Sequence, residues 1–259
     1  MTGGYALVTG ASQGLGSIYA RALAAERWNL VLVARSREKL EALAAELRDG
    51  GMKVEPITCD LARPAAGRDL AAELRSRGLR IDLLVNNAGF GLQGEFRQLN
   101  LERQVEMIQL HCASVVELTH ELLPAMIEQH RGGIINISSM AGFQAIPYAA
   151  LYAATKSFLS TFSLALEREV GRHGVAVVTV APGRLRPAES DASQERQKFP
   201  GGEQDPQIVV AESLKMLARG GGLLVPGAFN KFTNLLGRVF PRRLVTKAIG
   251  KMSRPKKTD

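Results

Sequence analysis

Cysteine is scarce in this chain: Cys59 and Cys112 are its only two, and they lie far apart. That excludes a disulfide-stapled scaffold, and the absence of a CxxC pair or a His/Cys cluster leaves no metal-ligand pattern. No metal is expected, and a reducing, cytoplasmic setting is the simplest expectation. Long apolar runs are missing too. No stretch of about 18 apolar residues occurs, so no transmembrane helix is expected. The first residues lack a basic segment followed by an apolar one, so no secretory leader is expected. Acid is what the C-terminal end lacks. From Ala228 onward nine Lys and Arg face a single acid, Asp259, while the remainder holds 24 basic and 24 acidic residues. The net charge of +8 therefore belongs to the tail. No aromatic-basic sheet or recognition-helix pattern accompanies it, so a nucleic-acid partner is not expected.

Apolar residues make up 46% of the chain, enough for a large core. Short Val-, Ile- and Leu-rich runs at 5–9, 29–34, 53–58, 81–86, 132–138, 175–181 and 223–226 read as strands. Several are continuously apolar, as strands are when helices cover both faces. Helical patterns fill 15–27, 37–49, 65–77, 99–129, 149–172 and 206–219. This alternation predicts an α/β fold, a doubly wound parallel sheet of about seven strands with helices on both faces. One domain is expected over 1–227, including a polar, Pro/Gly-punctuated substrate loop at 183–205, with a basic amphipathic tail over 228–259.

The first strand runs into Thr9-Gly10-Ala11-Ser12-Gln13-Gly14-Leu15-Gly16 and then into a helix. Glycines at a strand-to-helix turn let backbone N–H groups approach a pyrophosphate, and the helix N-terminus adds a favourable dipole. Gly10, Ser12, Gln13, Gly14, Leu15 and Gly16 are the candidate phosphate contacts of such a Rossmann-type turn. The second strand ends Val33-Ala34-Arg35-Ser36. An acid there would favour NAD. Ala34 with Arg35 instead leaves room and positive charge for a 2′-phosphate, so NADP is the expected cofactor. Lys39 reads as an assisting or merely surface cation. Asp60, ending the third strand, suits either the adenine amine or the cap of the next helix.

Tyr152 and Lys156 form a YxxxK pair on one helix face. A free phenol with a pKa of about 10 is a poor acid or base at neutral pH. A neighbouring ammonium stabilises its phenolate. Ser139, at the end of a predicted strand, stands where open parallel sheets bind their ligands.

With these motifs in hand, the chain resembles the short-chain dehydrogenase/reductase family, in its compact single-domain branch. The likeness is carried by Thr9 to Gly16, Asn86-Asn87-Ala88-Gly89, Ser139, Tyr152 with Lys156, and Pro182-Gly183, and it covers about residues 5–183. The resemblance implies that Tyr152 is the general acid/base, that Lys156 tunes it and holds the nicotinamide ribose, and that Ser139 positions the substrate oxygen. It places Asn87, Ala88 and Gly89 on the adenosine-ribose side, backs the nicotinamide with Pro182 and Gly183, and implies a homo-oligomer packed through 99–129 and 149–172. Within the family, residues 134–142, 153–158 and 225–243 are similar to bacterial DltE-type oxidoreductases.

Two positions depart from the family pattern. Where the family has an Asn supporting a proton relay, 28 residues before the serine, this chain has His111. Histidine titrates near neutrality, so a relay with altered pH dependence and a half-buried core residue are both open. Four residues after Gly183, where the family often has Thr, stands Pro187. Arg184 and Arg186 are then alternative phosphate contacts. The expected activity is NADP-dependent interconversion of a carbonyl and an alcohol on an apolar small molecule. Phe90, Phe143, Ile146 and Tyr148 are its expected neighbours. The rival is an NADP-binding regulatory protein with vestigial chemistry.

In the tail Phe229, Phe232, Leu235, Leu236, Val239 and Phe240 recur at helical spacing among Lys231 and Arg238, and seven more cations follow Pro241. Either this stripe packs over the substrate cleft or a partner subunit, or it contacts a membrane peripherally. Packing is preferred, because an aromatic stripe beside an active site usually completes a pocket.

Overall fold

The computed structural model of the chain describes residues 4–186, 202–239 and 241–253. Its strands are β1 (Tyr5–Thr9), β2 (Asn29–Ala34), β3 (Val54–Thr58), β4 (Ile81–Asn86), β5 (Gly132–Ile137), β6 (Val175–Val180) and β7 (Gly221–Leu224). Its helices are α1 (Gly14–Ala25), α2 (Arg37–Arg48), α3 (Ala66–Ser76), α4 (Leu101–Ile108), α5 (Ser114–Glu128), α6 (Ala150–Val170), α7 (Pro206–Ala218), α8 (Ala228–Val239) and α9 (Arg242–Ser253). Every strand pairing is parallel, in the order β3-β2-β1-β4-β5-β6-β7.

The continuous apolar runs find their reason in two core layers. Side chains alternate across a strand. Ala6, Val8, Leu30, Leu32, Val85, Ile135 and Val178 pack with Leu15, Tyr19, Leu23, Leu40 and Leu214 of α1, α2 and α7. Their neighbours Leu7, Val31, Val33, Leu84, Ile134 and Val177 pack on the other face with Leu70, Leu74, Leu118, Leu122 and Leu166 of α3, α5 and α6. Each such Leu, Ile or Val stabilises the fold by about 1.5–3 kcal/mol. Tyr19, fully buried, satisfies its hydroxyl on Ser213 at 2.6 Å, tying α1 to α7.

The chain winds outward from β1 to β3, then crosses to β4 and winds outward the other way. The crevice beyond the carboxyl ends of β1 and β4 is the topological switch point, where such sheets bind ligands.

Most boundaries shift by a residue or two from the sequence expectation, and two differences bear on the site and the sheet edge. The single helix expected over 99–129 is α4 and α5 joined by a π-helical turn, Gln109–Ala113. Its wider turn puts His111 on the inside, 1% exposed. The last strand starts at Gly221 rather than 223. Gly221 has φ +106°, and a Cβ there would stand 2.4 Å from the Val177 carbonyl oxygen, so only glycine permits this pairing.

Candidate active site

Thr9 organises the glycine turn. Its Oγ1 accepts the amides of Asn87 at 2.9 Å and Ala88 at 3.0 Å and donates to the Val85 carbonyl at 3.2 Å. The Asn87 side chain reaches back, donating to the carbonyls of Thr9 at 2.9 Å and Gly10 at 3.3 Å. The two strand ends at the switch point are thus laced together. A Cβ on Gly16 would come within 2.3 Å of the Gly10 carbonyl oxygen, so only glycine lets α1 start this close to the turn.

Above the turn lies a cleft of about 410 Å³. It brings together Gly10, Ser12, Gln13, Gly14 and Leu15 with Arg35, Asp60, Asn87, Ala88 and Gly89, all expected contacts, and adds Ala34 and Lys39. Gly16 stays behind the wall as a packing residue. Arg35 is exposed at the rim and has no ion-pair partner among the described residues. Lys39 bonds Gln13 Oε1 at 3.4 Å. Asp60 faces the cleft and also accepts the Ala62 amide at 3.1 Å, so both sequence readings of it hold in part.

Ser139, Tyr152 and Lys156 meet beyond the ends of β4 and β5. Ser139 caps a short 3-10 turn, accepting the Ala141 amide at 3.1 Å, and its hydroxyl hydrogen-bonds Tyr152. That turn sits directly on α6: a Cβ on Gly142 would stand 2.7 Å from the Lys156 carbonyl. Helix α6 is registered on the sheet by buried polar ties. Ser138 Oγ donates to the Lys156 carbonyl at 2.7 Å. Asn86 bonds Asn136 and Asn136 bonds Ser163, each at 2.8 Å. Unpaired, each of these buried groups would cost about 1–3 kcal/mol. Paired, they fix where Tyr152 and Lys156 point.

Lys156 Nζ donates to the Ile137 carbonyl at 2.8 Å and lies 5.8 Å from the Tyr152 ring centre. Burial lowers the Lys156 pKa to about 8, the proximity of Cys112 opposing this. Tyr152 corrects the expectation of a lowered phenol. Burial pushes its pKa up, only partly offset by the Ser139 hydrogen bond. In the chain alone Tyr152 is therefore a protonated phenol, ready to donate.

Of the two readings left open for His111, its burial fits the core residue. Its Nε2 accepts the Phe90 amide at 3.1 Å and its Nδ1 faces Thr155 Oγ1 at 2.9 Å. Thr155 Oγ1 already donates to the Tyr152 carbonyl at 2.9 Å, so it accepts from His111, which fixes the Nδ1–H tautomer. Burial first, and the Lys156 charge second, lower the His111 pKa to about 2. It does not titrate near neutrality, and both nitrogens are engaged. It pins the Phe90 segment to α6 one turn from Tyr152.

The Pro182-Gly183 segment is held at both ends. Met140 N–H donates to the Pro182 carbonyl at 2.9 Å, and Gly183 N–H donates to Gln204 Oε1 at 2.8 Å. Gln204 Nε2 and Asn230 Nδ2 both donate to the Pro226 carbonyl, at 2.6 and 3.0 Å. Arg184 and Arg186 pair with Glu203 at 3.5 Å and Asp205 at 3.9 Å, so the acids of the following segment hold the arginines offered as phosphate contacts. Pro187 and most of the 183–205 loop lie outside the described residues, as do Phe240 and the tail beyond Ser253.

The tail folds onto this side of the molecule. Helix α8 packs on the 140–143 turn, Gly250 of α9 approaches Pro147, and Gln93 Nε2 bonds the Ser253 carbonyl at 3.4 Å. Of the expected substrate neighbours, Phe90 lies under the Arg103 guanidinium at 4.3 Å, and Phe143, Ile146 and Tyr148 are half-buried. Sequence reasoning gave Asn86 and Asn136 no part in holding α6; amides inside apolar strands are their only signal of it. It also missed Gln204 and Asn230, which no spacing signals.

The chain matches the short chain dehydrogenase family over residues 4–198. It is 36% identical over 186 residues to a very-long-chain 3-oxoacyl-CoA reductase of Homo sapiens, covering 70% of this chain and 59% of that protein. It is 39% identical over 180 residues to granaticin polyketide synthase putative ketoacyl reductase 1 of Streptomyces violaceoruber, covering 69% and 66%. The chain thus spans less than two thirds of the length of these curated relatives. Among solved structures, a short-chain dehydrogenase from Sphingobium yanoikuyae in complex with NADPH superposes with TM-score 0.79 at 31% identity, covering 99% and 97% of the two chains.

Proposed function

The chain belongs to the short-chain dehydrogenase family, and from that premise we propose that it is an NADPH-dependent reductase of a ketone carried on an apolar chain. The single observation that carries this reading is the convergence of Ser139, Tyr152 and Lys156 beside a cleft whose rim holds Arg35 and no carboxylate at position 34. The residues fit the cofactor: the glycine turn leaves backbone open to a pyrophosphate, and Arg35, with no ion-pair partner among the described residues, suits a 2′-phosphate. When bound, NADPH supplies a hydride to the carbonyl carbon.

The protein supplies everything at the oxygen. Ser139 hydrogen-bonds the carbonyl oxygen and holds it against the phenol. Tyr152, protonated at neutral pH, donates its proton to that oxygen as charge develops there. Lys156, charged below about pH 8, stabilises the phenolate left behind. The names of the relatives suggest 3-oxoacyl thioesters as the substrate class. The likeness to DltE-type oxidoreductases rests on residues 134–142, 153–158 and 225–243 alone and names no substrate.

We also propose a homodimer. Leu101, Val105, Ile108 and Val116 form an exposed apolar stripe along α4 and α5, and Phe158 of α6 lies exposed beside its stacked neighbour Phe162. Such a face suits a second copy.

The test is a panel of 3-oxoacyl thioesters and long-chain ketones, followed by NADPH oxidation, with NADH as control. Turnover with NADPH on the acyl members is expected. Tight NADPH binding with no turnover across the panel would overturn the enzyme reading and favour a nucleotide-binding regulatory protein. The engaged nitrogens of His111 are the observation behind that rival.

A further inference from the structure

The packed tail leaves its exposed residues unexplained. Helix α8 packs on the 140–143 turn and sets Asn230 against Gly183, while Gly250 of α9 approaches Pro147. Phe229 at 43%, Phe232 at 58% and Leu244 at 63% exposure nevertheless stay open to solvent. Arg243, Lys247 and Lys251 recur every four residues along α9, so they share one face, and all three are exposed, as is Lys231 on α8. No acid occurs anywhere between Glu212 and Asp259, so nothing local neutralises these cations. Folding normally buries aromatic residues. Here Asn230 packs against Gly183 while the phenylalanines on either side of it, Phe229 and Phe232, stay exposed.

We propose that these exposed residues of α8 and α9 dock on an anionic lipid bilayer. The charge points to that occupant: four exposed cations with no intervening acid match a surface of negative headgroups. The two phenylalanines and Leu244 reach the depth of the headgroup and acyl boundary. No helix among the described residues is long and apolar enough to cross a membrane, so the contact is peripheral. The inference stands on the tail alone and does not need the reductase reading.

The experiment is sedimentation of the full chain with vesicles of phosphatidylcholine alone or mixed with phosphatidylglycerol, at low and high salt. Two variants, Lys247→Gln with Lys251→Gln and Phe229→Ser with Phe232→Ser, are compared after their thermal midpoints confirm folding. Binding is expected only to the mixed vesicles and is lost in high salt, where the screening length falls to about 3 Å. The lysine pair should weaken it about 25-fold, a factor of about five for each cation at such a surface. The phenylalanine pair should weaken it as well. Absence of vesicle binding overturns the proposal, as does binding indifferent to the lysines. A lysine effect without a phenylalanine effect reduces the face to a charged fringe and also overturns it. So does a phenylalanine variant that turns a dimer into a monomer while vesicles stay unbound, which would assign the face to a second copy.

Discussion

Lowering the pH from 7.5 to 5 should destabilise this protein through one imidazole. His111 is neutral in the fold, its pKa lowered to about 2 by burial, whereas in the unfolded chain it titrates near 6.5. The unfolded state therefore binds the extra proton first as pH falls below 6.5. The stabilisation is fully present above 6.5 and is lost progressively on the way down toward 2. Each pH unit below 6.5 costs about 1.4 kcal/mol, so pH 5 costs about 2 kcal/mol. Other groups also titrate in this range, so the effect is isolated by comparison with His111→Asn, which cannot take the proton. At pH 7.5 the variant should be less stable by about 1–3 kcal/mol, because the shorter side chain cannot satisfy both the Phe90 amide and Thr155. At pH 5 that gap should shrink by about 2 kcal/mol. Urea unfolding of both proteins across this range is the assay. Stability curves that stay parallel from pH 7.5 to 5 would refute a buried neutral His111.

Arg35→Ala should raise the Kd for NADPH by about 5- to 150-fold, the 1–3 kcal/mol of a charged contact, and leave NADH unchanged; equal loss for both removes Arg35 from the 2′-phosphate. Lys156 carries its charge below about pH 8 and loses it as pH rises through that value, so reductive kcat/KM should fall above pH 8. A profile flat to pH 10 would contradict that role. Light scattering should give a dimer that Val116→Asp with Phe158→Glu converts to a monomer; a monomeric unaltered chain sinks the proposed interface.

Most of the fold was legible because its strands are covered on both sides. Residues 30–33 and 83–85 are apolar throughout, and no amphipathic pattern had to be disentangled. Ser139, Tyr152 and Lys156 were picked out for a different reason: two share one helix face and the third ends a strand, and the family resemblance singled them out. His111 was not legible. A periodicity of 3.6 runs straight through 99–129, and only the π-helical turn moves the residue inward, into a setting that shifts its pKa by several units. The direction of the Tyr152 shift was not legible because spacing brings an ammonium near the phenol but does not reveal the burial that raises its pKa. Gln204 and Asn230 come from beyond the 187–201 segment, and nothing local couples them to Gly183. The outward phenylalanines of the tail looked like pocket lining, because helical spacing cannot say which side of a helix meets the protein.

Turnover and NADPH binding measured side by side on Tyr152→Phe test the central claim most directly. The substitution removes one hydroxyl and leaves the ring packing beside His111 in place. The account predicts that reduction of any accepted ketone falls by at least the 100- to 10,000-fold typical of a lost general acid, about 3–5 kcal/mol, with the Kd for NADPH essentially unchanged. Near-normal reduction by the variant would contradict it.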